Sequence, residues 1–397
     1  MQTKAGDPGA FAHFDLSRVD SPAFVVDAAR LRANCRVLAD VRDAAASDGA
    51  NIKVFAALKA FSMWSAAPII GEYLDGVSTS GLWEARLASE FYDGEIATYC
   101  AAFKPEDLAE VCRLSDHVIF NSPAQHVRAR AILDHAAANG AGVSVGLRIN
   151  PQVATGEVAK YDPSAPGSRL GFPLDQLTDE HMEGIEGIHF HNLCEQDFEP
   201  LKATWDRVFD AIEPFFGQLK WINMGGGHHI TRADYQREEL VEFLRDAAED
   251  TGCEIILEPG EAVALDAGIL VGTLLDTHFN EMPVGITDIS ATCHMPDVLE
   301  APYRPAMLGE LTDDSMIPIR LGGPSCLAGD VIGDYRLPVP AEPGARFAFL
   351  DQAHYSMVKT NTFNGVALPS IWMWDSETDA LDCIKRFDYE DFRDRLS

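Results

Sequence analysis

The chain has 397 residues, 47% of them hydrophobic and 23% charged, which is ordinary for a globular protein and long enough for two domains. Its 62 acidic residues outnumber 31 basic ones and give a formal charge of −31. That balance speaks against nucleic acid or an anionic membrane as partner, because both need clustered basic side chains, and it reads as a solvated acidic surface compatible with a cationic ligand. Residues 1–20 lack the apolar core of a signal peptide, and no run reaches the roughly 18 apolar residues of a membrane span. Eight cysteines show no CxxC pair or tight framework, so reduced thiols and a cytoplasmic location are the expectation.

In chain order, SPAFVVD (residues 21–27) reads as a strand and the alanine- and arginine-rich residues 27–47 as a helix. Eight short apolar runs follow: IKVFAALK, GVSTS, EIATYC, HVIFNS, VSVGLRINP, IEGIHFHNL, LKWINMGGG and CEIILEPGE. Helical segments such as LWEARLASEFY, PEDLAEVCRLS, PAQHVRARAILDHAAAN and REELVEFLRDAAEDTG separate most of them. Eight strand–helix units predict an α/β chain with a (β/α)8 TIM-like barrel. After residue 263 the texture changes to short strands with Pro/Gly turns: ILVGTLLDTHF, VGITDISATC, SMIPIRLGGPSC, YRLPVPAEPGARFAFLD and SIWMWDSE. The expected division is a barrel over residues 27–263 and a C-terminal β-rich domain of residues 264–397, joined by residues 1–26 through the first strand.

Chemistry in such a barrel gathers at the C-terminal ends of the strands. There the sequence places Lys59, Ser78, Arg148 with Asn150, His191 with Asn192, the triplet Gly225, Gly226 and Gly227, and the run Glu258 to Glu261. The residues preceding them read as an apolar interior. Each has an ordinary alternative: a rim lysine, a satisfied core histidine, a turn, an ion-pair partner. Taken together they supply an amine, a flat imidazole, glycine N–H groups before a helix that could cradle a phosphate, and a carboxylate. Those are the parts that hold pyridoxal 5′-phosphate, with lysine as Schiff-base partner and carboxylate on the pyridine nitrogen.

The same residues, with GPSC and FNG in the β-rich domain, resemble the fold-type III pyridoxal-phosphate decarboxylases. Within that group the blocks ALKAFSMWS, NMGGGHHIT, LEPGEAV, DISATCHMPDVLEAPYRP, GGPSCLAGDVIGDY and MVKTNTFNG, spread over residues 57–365, resemble the carboxynorspermidine/carboxyspermidine decarboxylases of polyamine (norspermidine and spermidine) biosynthesis. The resemblance implies Lys59 as Schiff-base lysine, His191 stacked on the cofactor and Glu258 on its pyridine nitrogen. It also implies the glycine triplet and Tyr355 on the phosphate, with Arg148 and Ser78 added from the same rim. Cys326, a candidate proton donor, and Asp330 match a segment that enters the partner subunit's site in that group, so a homodimer with shared active sites is implied. Glu261 stands where the ornithine and diaminopimelate enzymes carry an arginine, which suits a cationic polyamine–amino acid substrate. Asp297, Asp288, Asp330 and Glu300 are the other acids proposed for its ammonium groups.

Competing readings are a diaminopimelate, ornithine or arginine decarboxylase of the same group, and a non-catalytic pyridoxal-phosphate carrier. A zinc site from His228, His229, His294 or Cys293 lacks any known ligand spacing. Carboxynorspermidine and carboxyspermidine differ by one methylene, which a pocket discriminates by only about 1–3 kcal/mol.

Overall fold

The computed structural model describes residues 6–156 and 160–397, which fall into two compact units. One is Ala33–Val263; the other is built from the chain up to Arg32 and from Ala264–Ser397. Among the described residues no helix is long and apolar enough to cross a membrane.

After β1 (Ala23–Asp27) come β2 (Ile52–Ala57), β3 (Gly76–Thr79), β4 (Glu95–Tyr99), β5 (His117–Phe120) and β6 (Ser144–Asn150). The two-residue β7 (Phe172–Pro173) adds to the end of β6, and β8 (Gly187–His189), β9 (Trp221–Asn223) and β10 (Glu254–Leu257) follow. All pairings are parallel, and because β5 pairs with β6 while β10 pairs with β2, eight strands close into the expected barrel. Helices cover it with apolar stripes. Glu199–Ile212, for example, buries Leu201, Thr204, Trp205, Val208 and Ile212, positions that recur every three or four residues.

Side chains alternate across a strand, so every second residue points into the barrel. The register therefore sorts the interior into layers. In the middle lie Phe55, Ala97, Ile119, Trp221 and Ile256, a buried apolar cluster. Trp221 faces Gly187 on β8, which faces Gly146 on β6, and a Cβ on either glycine would come within 2.0 or 2.3 Å of the indole. The barrel is filled by one large ring and two missing side chains. One period higher the register aligns Arg148, His189 and Asn223. The expectation of an apolar interior up to the rim is thus corrected: the uppermost strand layer is polar, and its charges are met by hydrogen bonds and stacking.

The other unit contains β11 (Gly268–Asn280), β12 (Met282–Thr287), β13 (Ile319–Gly322), β14 (Val331–Tyr335), β15 (Arg346–Leu350), β16 (Ser370–Asp375) and β17 (Ala380–Lys385). Their sheet runs β14-β13-β12-β11-β1-β16-β17, with β15 on β11, and is antiparallel except at β1–β16 and β12–β13. Phe11, Phe14, Val25, Ile269, Val271, Trp372 and Trp374 belong to its core. Two sequence runs are shorter as strands than they read. The ATC of VGITDISATC turns into a helix (Ala291–His294), because the Ser290 hydroxyl accepts the Cys293 N–H at 3.1 Å and caps it. The run over residues 335–351 is broken at its proline-rich centre, which cannot donate to a ladder.

Candidate active site

Two residues beyond Ala57, on the inward parity of β2, Lys59 sits in a turn laced to both neighbouring strands. Leu58 donates its N–H to the Ser78 carbonyl, and Ala57 donates to the Pro259 carbonyl, both at 3.0 Å. Lys59 Nζ lies 3.1 Å from His191 Nε2. Among the described residues no carboxylate forms an ion pair with it. The side chain keeps exposed surface at the barrel mouth while protein walls crowd it from below. That desolvation, then the Arg148 charge, lowers its amine from the ordinary lysine value.

Burial drives His191 well below the usual imidazole range, with Lys59 and Arg148 adding to it, so the ring is neutral near pH 7. Its Nδ1 meets both polar atoms of Gly226, the carbonyl at 3.0 Å and the N–H at 3.2 Å. With the proton on Nδ1, the ring donates to that carbonyl and Nε2 accepts from Lys59. With the proton on Nε2, the Gly226 N–H donates to Nδ1 and Nε2–H points at a neutral Lys59 amine. Either way the imidazole and the amine form one proton-sharing pair.

Glu258 follows β10 directly. Its Oε1 accepts from Asn223 Nδ2 at 2.7 Å, and its Oε2 lies 3.4 Å from His189 Nε2. Burial pushes this carboxyl up, but His189, Asn223 and the Lys59 charge outweigh it, and the net shift is downward. A charged carboxylate is held inside the barrel. Arg148, 4% exposed, donates Nη2 to the His191 carbonyl at 2.9 Å and lies 4.5 Å above the Tyr99 ring. Tyr99 in turn stacks on His189 at 5.6 Å and 26°, and its hydroxyl donates to Asn121 at 2.6 Å.

The glycine triplet is confined by protein rather than left open. A Cβ on Gly225 would come within 2.6 Å of the Phe190 carbonyl, on Gly226 within 2.0 Å of the Glu258 carbonyl, and on Gly227 within 2.1 Å of the Leu193 carbonyl. Gly225 and Gly227 also take φ of 69° and 91°, which favour glycine. The N–H of Gly225 donates to Asn223 Oδ1 at 2.9 Å. The triplet does not open a helix as expected; the next long one begins at Arg237. The glycines are needed first to let β9, β10 and the loop after β8 converge.

Sequence reasoning singled out Lys59, His191, Glu258, Arg148, Ser78 and the triplet, and the barrel brings them to one mouth. It passed over His189, Asn223, Tyr99 and Glu84. The first two carried a signal, since each lies two residues before a singled-out position and so on the same face. Glu84, beside Lys59, accepts the Ser80 N–H at 2.7 Å, and burial raises its carboxyl. Glu261 opens the short helix Glu261–Ala264, 4.0 Å from His229 Nδ1.

The remaining predicted residues belong to the other unit. Cys326 is exposed, and its N–H donates at 2.8 Å to Oδ1 of Asn364, so the GPSC and FNG motifs meet. Asp330 is buried and accepts from the Ser290 and Ser325 hydroxyls at 2.8 and 2.6 Å, which shapes the Cys326 loop. Asp297 and Glu300 share the Lys359 ammonium, the latter at 3.0 Å. Asp288 accepts from Ser21 and from the Thr273 N–H. Tyr355 adopts a left-handed φ of 47°. Asp297, Glu300, Asp288 and Asp330, all assigned to a cationic chain, therefore have partners within this unit. Of the zinc candidates, His228 bonds Tyr235 and His294 bonds the Ala367 carbonyl; among the described residues they join no group close enough to share an ion.

No family model matches the chain. Individual relatives do. A carboxynorspermidine/carboxyspermidine decarboxylase of Campylobacter jejuni subsp. jejuni is 36% identical over 387 residues, covering 94% of this chain and 98% of that one. The chain belongs to the carboxynorspermidine/carboxyspermidine decarboxylase family. Its chemistry is decarboxylation, which sets aside the non-catalytic carrier. A carboxyaminopropylagmatine decarboxylase of Synechocystis sp. is 37% identical, covering 96% of each chain. The crystal structure of the Campylobacter jejuni carboxynorspermidine decarboxylase, solved with norspermidine, superposes with a TM-score of 0.85 at 36% identity, over 95% of this decarboxylase and all of that chain.

Proposed function

We propose that this decarboxylase removes CO2 from carboxynorspermidine or carboxyspermidine in polyamine biosynthesis, using pyridoxal 5′-phosphate. The observation that carries the reading is Lys59: an amine with a lowered pKa, 3.1 Å from a neutral imidazole, in ion-pair contact with no carboxylate among the described residues, and with a charged Glu258 within the same mouth. That donor set fits the cofactor, as a nucleophilic amine for its aldehyde and a fixed anion for its ring nitrogen. Pyridoxal 5′-phosphate, when bound, supplies the carbonyl that captures an amine and the protonated ring that accepts the electrons left by a departing carboxylate.

The chain's residues do the rest. Lys59, whose amine is lowered from the ordinary lysine value, would be the nitrogen that holds the cofactor's aldehyde. His191, with Nδ1 held by Gly226, presents a flat uncharged face. Glu258 keeps a proton on its partner nitrogen because Asn223 and His189 hold the carboxylate ionised. Glu261, at the start of the short helix that follows β10, puts a carboxylate where a substrate ammonium would need one. Cys326, at the tip of a loop fixed by Asp330 and Asn364, is the proton donor to the carbon, reaching the site of the second subunit in a homodimer.

A second reading concerns the substrate alone. The Synechocystis relative, as similar as the Campylobacter one, acts on carboxyaminopropylagmatine, whose tail ends in a guanidinium. The test is CO2 release from carboxynorspermidine, carboxyspermidine and carboxyaminopropylagmatine side by side, with diaminopimelate as control. A preference for one of the first two by about tenfold or more supports the proposal; a preference for the guanidinium compound replaces it. Glu261→Arg is expected to raise KM for the polyamine acid and leave cofactor uptake unchanged, and weakened cofactor uptake alone would remove Glu261 from the substrate site.

A further inference from the structure

His189 is 2% exposed, one layer below the residues that meet solvent. The groups facing it are few. Glu258 Oε2 lies 3.4 Å from its Nε2, the Tyr99 ring stacks on it at 5.6 Å, and Arg148 lies 4.5 Å from the centroid of that same Tyr99 ring. Lys59 and His191 also act on it electrostatically. Its second nitrogen, Nδ1, is buried and has no hydrogen-bond partner among the described residues.

We propose that His189 is a positioning residue for Glu258: a neutral, fixed donor whose Nε2–H holds Oε2 while Asn223 holds Oε1, so that the carboxylate has one orientation and stays ionised. The inference rests on the reading of Glu258 given above. The bare Nδ1 decides between a donor and a relay. A relay histidine needs a partner on each nitrogen, one to give a proton and one to take it. Here one side leads to Glu258 and the other meets no protein partner among the described residues, so no protein group is placed to replace, through the ring, a proton that left Nε2 for the carboxylate. A positive His189 would also stand, itself buried, among the charges of Arg148 and Lys59. Burial and those charges lower its pKa, consistent with a ring that stays neutral. The stacked Tyr99 fixes the imidazole plane, which Glu258 alone would leave free to swing.

The donor hypothesis makes the two amide variants unequal. In His189→Gln the amide nitrogen reaches the place of Nε2; in His189→Asn it reaches only as far as Nδ1. His189→Asn is expected to lower kcat about 10- to 100-fold, the scale of losing a hydrogen bond to a charged group, with KM little changed. His189→Gln is expected to recover kcat to within about threefold. Independently of turnover, nitrogen NMR of the cofactor-free wild-type protein should show His189 with its proton on Nε2 and no titration from about pH 6 to about pH 9. A proton on Nδ1, a titration in that range, or equal activity of the Asn and Gln variants would overturn the proposal. Wild-type protein that takes up no pyridoxal 5′-phosphate would instead sink the reading of the site, and the NMR result would still judge His189.

Discussion

At the floor of the barrel Lys53 sits 2.5 Å from Glu95 and 2.8 Å from Glu254, and His117 Nε2 is 2.9 Å from Glu95. At the mouth, six residues on and just past the end of β2, Lys59 sits 3.1 Å from His191 and, among the described residues, pairs with no carboxylate. Both ends hold a lysine, histidine and glutamate. They differ in who pairs with whom. Burial works against the Lys53 charge, but two carboxylates outweigh it and raise its pKa, while the His117 hydrogen bond, with Lys53 after it, holds Glu95 down at about 2. At the mouth the carboxylate is taken by Asn223 and His189, and the lysine is left with a neutral ring and an arginine behind it. A floor lysine is spent on stability, in keeping with its end of the barrel, and a mouth lysine remains reactive.

The largest way to test that contrast is Lys59→Ala, expected to lower decarboxylation by at least about 10³-fold and to abolish borohydride-trappable capture of pyridoxal phosphate. Trapping that persists in this variant would move the reactive amine elsewhere. Next, Glu258→Gln removes the anion but keeps the shape; kcat is expected to fall about 10²- to 10³-fold, with Tm nearly unchanged. Lys53→Met should do the converse. It leaves Glu95 and Glu254 facing each other without a cation, and because the group is partly solvated the cost is set at about 1–3 kcal/mol in urea unfolding, with kcat unaltered. The smallest effect is in pH. Glu95 is depressed from 4.5 to about 2 in the folded chain, so its contribution is present above about pH 4.5 and fades as pH falls toward 2. Glu95→Gln is expected to flatten that part of the acid-unfolding profile, read by circular dichroism, and an unchanged slope would take Glu95 out of the floor network.

How much of this could be read in advance depended on the alternation. IKVFAALK already places Lys53, Phe55, Ala57 and Lys59 on one face, and HFH places His189 and His191 on one face, so the mouth was legible once the barrel was recognised. The environments were not. Nothing in LKWINMGGG says that Trp221 needs Gly146 and Gly187 opposite it, or that the triplet is demanded by backbone crowding at Phe190, Leu193 and Glu258, because those neighbours are distant in sequence. The acids show the same divide. Asp297, Glu300, Asp288 and Asp330 were visible as charges, but their hydrogen-bond partners, Lys359, Ser21, Ser290 and Ser325, depend on the fold of the β-rich unit.

The indole that fills the barrel also constrains the chain's history. Because Gly146 and Gly187 are empty only on account of Trp221, neither can acquire even an alanine while that ring remains, whereas the ring can shrink before either glycine grows. Substitutions at these three sites must therefore arrive in a fixed order, with position 221 changing first, and descendants that kept the tryptophan are bound to keep both glycines.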